Sequence, residues 1–157
     1  MSLVKVIGIG SPYGNDTLGW RVIDTLKQQH RLTTSPLARV ELIETDRPGI
    51  NLIQMFQGAD FVILVDAIVG EHNHGEVMRI SKEQLILAQG SISSHDFDVA
   101  SAIAIADKLG ELPMKIEIFG LAVDGLYADP VNEEHIHLLA DAVNCEIANY
   151  VAQPPSN

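Results

Sequence analysis

The chain has 157 residues, the size of one domain, and 46% of them are hydrophobic while only 5% are aromatic, so an aliphatic core is expected. Ten Lys and Arg against 21 Asp and Glu give a formal net charge of -11. Such a surface repels polyanions and excludes nucleic acid as an expected partner.

The elements follow in chain order. Residues 3–10 are apolar and β-branched up to Gly10 and Pro12, which predicts a buried strand running into a loop. After Asp16, the apolar positions Leu18, Val22, Ile23 and Leu26 recur at helical spacing. Residues 39–44 alternate as a strand, and Leu52, Ile53, Met55 and Phe56 suggest a short helix after Gly49. Phe61-Val62-Ile63-Leu64-Val65 is the most apolar segment and is expected to be the central strand, capped by Asp66. Residues 76–80 suit another strand and 82–87 a brief helix. From 94 to 109 small and apolar residues predict a helix with a closely packed face, 114–121 a strand, and 133–150 a terminal helix. Strands alternating with helices predict a three-layer α/β fold, a mostly parallel twisted sheet flanked by helices on both faces. One domain is expected over 1–152, with a flexible tail at 153–157. Strand order is not readable.

Cys145 is the only cysteine, so neither an internal disulfide nor a Cys-rich zinc site is available, in keeping with a reducing compartment. The chain begins with a strand-like segment rather than a signal-peptide pattern, and no apolar run reaches the ~18 residues of a membrane span. A cytoplasmic protein without membrane attachment is the expectation.

Three polar residues fall where an open α/β sheet carries function, beyond the carboxyl ends of its strands. Asp16 follows the first strand, Asp66 ends the central apolar run, and His95 opens a helix. Two carboxylates and an imidazole suit a divalent metal such as nickel or zinc and leave coordination positions open. Each has a plainer explanation. Asp16 suits a turn or a helix cap, and Ser94-His95-Asp96 suits a simple helix start. Asp66, directly after five apolar residues, demands a partner or a function.

Other features are less specific. Gly8-Ile9-Gly10 with Gly14 misses a dinucleotide-binding spacing by one residue, and Asp16 sets negative charge where a phosphate would approach. His72-Asn73-His74 is expected in an exposed loop, and His135 and His137 on different faces of a helix. Cys145 is expected in the core. No zinc-protease helix, serine nucleophile elbow or Walker loop is present.

Five segments in order carry a family resemblance. They are Val6-Ile7-Gly8-Ile9-Gly10 with Asp16-Thr17-Leu18-Gly19, then 45–49 with Leu52, then Ile63-Leu64-Val65-Asp66-Ala67. Ser93-Ser94-His95-Asp96 follows, leading through Ala102, Ala106 and Lys108-Leu109-Gly110 to Leu112-Pro113, and Ile118-Phe119-Gly120-Leu121 is the last. Together they resemble the hydrogenase maturation endopeptidases, which process the large subunit of nickel–iron hydrogenases. The resemblance implies a peptidase that removes a C-terminal peptide from the nickel-loaded large-subunit precursor. It implies Asp16, Asp66 and His95 as both catalytic and metal-binding residues, with nickel supplied by the substrate and no organic cofactor. A monomer is expected. Departures are Ser11 where the family usually has Asn, Asn15 where it often has a second acid, a shorter first loop, and Ala122-Val123-Asp124 after the last strand. A non-catalytic nickel- or precursor-binding subunit competes with the protease, and a nucleotide-binding module has only the glycine loop in its favour.

Overall fold

Continuous aliphatic runs build the sheet. In the computed structural model, which describes residues 1–29, 36–70, 73–87 and 94–153 (the backbone alone for 94–98), they form β1 (Ser2–Gly10), β2 (Ala38–Asp46), β3 (Phe61–Val69), β4 (Val77–Ser81) and β5 (Lys115–Val123). Helical periodicity yields α1 (Leu18–Gln29), α2 (Leu52–Met55), α3 (Lys82–Leu87), α4 (Ser94–Leu109) and α5 (Glu133–Ala152). The strand order is β2-β1-β3-β5-β4, with β4 antiparallel at one edge and the other pairings parallel. This is the expected three-layer α/β fold.

Alternation along the strands divides the core. Val4, Val6, Ile63 and Val65 face α1 and α5, meeting Leu18, Val22, Leu139 and Val143. Ile7, Ile9, Val62 and Leu64 face the other side, meeting α2, α3 and α4 through Leu52, Leu85, Ala100 and Ile103. Because both faces of β3 are covered, all but its last residue are buried. Each fully buried Leu or Ile there contributes about 1.5–3 kcal/mol.

β3 is longer than its apolar run suggests. Asp66 does not cap it but lies within it, because β5 stays paired to β3 as far as Val69↔Val123. Cys145 is also not in the core. The inward face of α5 is occupied by Ile136, Leu139, Ala140, Val143 and Ile147, and Cys145 falls outside that stripe. The expected tail lies, from Pro154 onward, outside the described residues. Among the described residues no helix is long and apolar enough to cross a membrane.

Four charges brace the opposite end of the sheet. Glu146 on α5 accepts from Lys115 at 3.0 Å and pairs with Arg79 at 3.1 Å, and Arg79 also pairs with Glu117. Burial pushes the Glu146 carboxyl up, but the Lys115 hydrogen bond and the Arg79 and Lys115 charges hold it below its ordinary value.

Candidate functional site

The topology opens a crevice. From β1 the chain moves outward through α1 to β2, then returns to the other side of β1 as β3. Pairing of β1 with β3 ends at Gly8↔Val65, so Asp66 is the first residue of β3 beyond it. Such a switch point is where α/β sheets bind ligands.

Asp66 is only 4% exposed, and its Oδ1 accepts from the Ala67 backbone N–H at 2.8 Å. It borders a cavity of about 30 Å³ with Ile9, Leu64, Ile80, Leu85 and Val99. Its neighbour in β5 is Gly120, where a Cβ would come within 2.6 Å of the Asp66 carbonyl oxygen.

Asp16 comes from the other side of the crevice. It lies in a 3-10 turn, Gly14–Thr17, that leads into α1 and packs against β3. It is 2% exposed, its Oδ2 accepts the hydroxyl of buried Ser11, and its carbonyl accepts the Ser11 N–H at 3.2 Å. Glycines bring the turn this close. A Cβ on Gly8 would sit 2.5 Å from the Gly19 carbonyl oxygen, and one on Gly19 would sit 2.4 Å from that of Ile9. Of the glycines that hinted at a phosphate loop, Gly8 and Gly10 serve close contact with α1 and the turn before it.

Asn15, 4% exposed, ties this turn to the connection between β5 and α5. Its Nδ2 donates to the carbonyls of Gly125 at 3.0 Å and Asp129 at 3.1 Å, and its Oδ1 accepts from the Val131 N–H at 3.2 Å. Its own N–H donates to the Leu126 carbonyl at 2.7 Å. Gly14 has φ +54°, and a Cβ there would stand 2.0 Å from the same Leu126 oxygen. In the sequence Ser11 and Asn15 are visible only as departures from a motif. A polar residue in a Gly- and Pro-containing loop is the one signal that they are structural.

His95 occupies the first turn of α4, as expected, and its side chain lies outside the described residues. α4 ends just before β5, whose first residue Lys115 pairs with the first of β3, so the helix runs antiparallel to both strands. Its N-terminal turn is therefore at the crevice edge. Val99, one turn after position 95, shares the cavity with Asp66.

The rim carries exposed Tyr13 and Tyr127 and the Arg47 guanidinium, 5.8 Å from the Tyr13 ring centre. The hydrogen bond and charge of Asp46 raise the Arg47 guanidinium above its ordinary value, with a smaller contribution from the Asp16 charge. Nearby, His74 is half-buried rather than exposed, 6.3 Å from the ring of His135. His135 packs against Gly75, while His137 faces solvent. His72 lies outside the described residues. Among the described residues no group of three or more His, Cys, Asp or Glu is arranged to hold a metal ion.

A family model for hydrogenase maturation proteases matches residues 20–144. The chain belongs to the hydrogenase maturation protease family. The matched stretch contains Asp66 and His95 and begins just after Asp16. The fold is similar to that of the hydrogenase maturating endopeptidase HybD from E. coli. The TM-score is 0.74 at 21% identity, over 97% of this chain and 93% of that one. The hydrogenase maturation protease HycI from Thermococcus kodakarensis KOD1 is 26% identical, with a TM-score of 0.59 over 97% of this chain and 94% of that one. A curated relative, the hydrogenase expression/formation protein HupD of Thiocapsa roseopersicina, is 25% identical over 121 residues. That match takes in 75% of this chain and 53% of HupD, so the chain spans about half the length of that relative.

Proposed function

We propose that the chain is an endopeptidase that removes a C-terminal peptide from the nickel-loaded large-subunit precursor of a nickel–iron hydrogenase. Asp16, Asp66 and His95 bind the nickel that the precursor carries. The observation that supports this most is the pair of buried carboxylates at the switch point, in a chain of this family. Two buried carboxylates at one switch point suit a divalent cation, which stabilises their charged form against the cost of burial. Two carboxylate oxygens and an imidazole nitrogen are donors that nickel accepts.

Engaging the substrate's nickel holds the scissile bond against the site, a proximity effect with an upper limit of about 7–11 kcal/mol. One carboxylate then serves as general base toward water, or water is activated at the nickel itself. The protein acts as a cytoplasmic monomer without an organic cofactor.

The test is the intact mass of nickel-loaded precursor after incubation with the wild type or His95→Ala. The expected outcome is loss of a short C-terminal peptide with the wild type alone. A second reading, a subunit that binds the precursor without cutting it, is favoured by Asn15 standing where relatives often carry an acid. Capture of precursor whose mass never changes supports that alternative.

A further inference from the structure

We infer that Asn15 is a positioning residue for Asp16, and that restoring an acid at position 15 would damage the site rather than complete it. This rests on the proposed role of Asp16 in holding the substrate's nickel.

The geometry requires an amide. The Asn15 side chain faces two carbonyl oxygens within 3.1 Å, those of Gly125 and Asp129, and one backbone N–H, that of Val131, at 3.2 Å. It therefore has to donate and accept at once, and an amide does both. A carboxylate at neutral pH only accepts. In Asn15→Asp the Val131 bond could persist, but an anion would be turned toward two carbonyl dipoles at a site 4% exposed to solvent. The residue cannot swing clear easily, because its own N–H is bound to Leu126 and Gly14 before it is wedged under the same carbonyl. The strain passes to the next residue in the 3-10 turn, Asp16, whose carboxylate is held only a few atoms away by Ser11. Asn15 thus joins the Asp16 turn to residues 125–131, and the 125–131 connection acts as the back wall of the site.

The experiment compares wild type, Asn15→Asp, Asn15→Ala and Asn15→Ser by amide hydrogen exchange and by processing of the nickel-loaded precursor. It is run at a temperature where circular dichroism shows each variant folded. In Asn15→Asp and Asn15→Ala, exchange should rise together at residues 14–17 and 125–131, with β1 and β3 unchanged, and processing should fall at least tenfold. Asn15→Ser, which keeps one donor and one acceptor, should recover part of the loss. Wild-type processing by Asn15→Asp would overturn the inference, as would unchanged exchange at 14–17. If Asn15→Asp does not fold, equal rates for Asn15→Ser and Asn15→Ala would overturn it instead. Exchange that behaves as expected while Asp16→Ala still processes normally would count against Asp16 as a nickel ligand and leave the positional coupling standing.

Discussion

Asp66 shows how much a single residue can demand of its surroundings. Chains seldom bury a carboxylate between aliphatic side chains, and Asp66 has Ile9, Leu64 and Val99 around it. An amide of the same shape keeps the acceptor for the Ala67 N–H without the charge. Asp66→Asn should stay folded while lowering processing about 100-fold or more, the usual scale for losing a group that acts on the reacting centre. Thermal melts beside mass-spectrometric rates check this, and a variant that processes normally would remove Asp66 from the site. The burial of Asp66 was legible in the sequence because a charge directly after five apolar residues lies next to the core strand. Asp16 was less so, since an Asp before a helix is ordinary. Asn15 stood out only as a departure from a motif, and its structural part could not be read because its partners lie more than a hundred positions along the chain.

At the scale of elements, the contact of α1 with β1 and β3 decides where Asp16 stands. Gly19 lies 2.4 Å from the Ile9 oxygen and 2.9 Å from that of Val65 when given a Cβ, and both are backbone atoms that cannot rotate away. Gly19→Ala should push the start of α1 outward and destabilise the fold by about 1–3 kcal/mol, as overpacking does. A fall of several degrees in melting temperature with a parallel loss of processing is expected, and an unshifted melt would contradict the close contact. The elements themselves were largely readable. The brief helix at 82–87 and the helix at 94–109 stand where patterning put them. The end of β3 was missed because strand length there follows from pairing with β5, which periodicity within one segment does not reveal. Cys145 was misjudged because a helix of mixed small residues does not declare its inward face; only its neighbours do.

For the whole molecule, acidity sets the stability profile. Glu146 titrates below its ordinary value of 4.5 in the folded state, so the folded state binds fewer protons than the unfolded one there. Its contribution is present above that value and is lost as the pH falls through the lower folded one. Glu44 behaves oppositely: burial, and then the hydrogen bond and charge of Asp24, raise its carboxyl, so its proton favours the folded state as the pH falls. Melts of wild type and Glu146→Gln between pH 7 and 3 separate the two. The wild type should lose more stability below about pH 4.5 than the variant, since only the variant lacks the Glu146 carboxyl. Parallel curves would show that the Lys115–Glu146–Arg79 cluster is inert. The bonds from Asn15 to Gly125, Asp129 and Val131 carry one more consequence. A nascent chain emerging from the ribosome can pair β1 with β3 early, yet it has no back wall for Asp16 until residue 131 is out. The turn that holds Asp16 thus gains its full set of hydrogen bonds only once residues 125–131 are present.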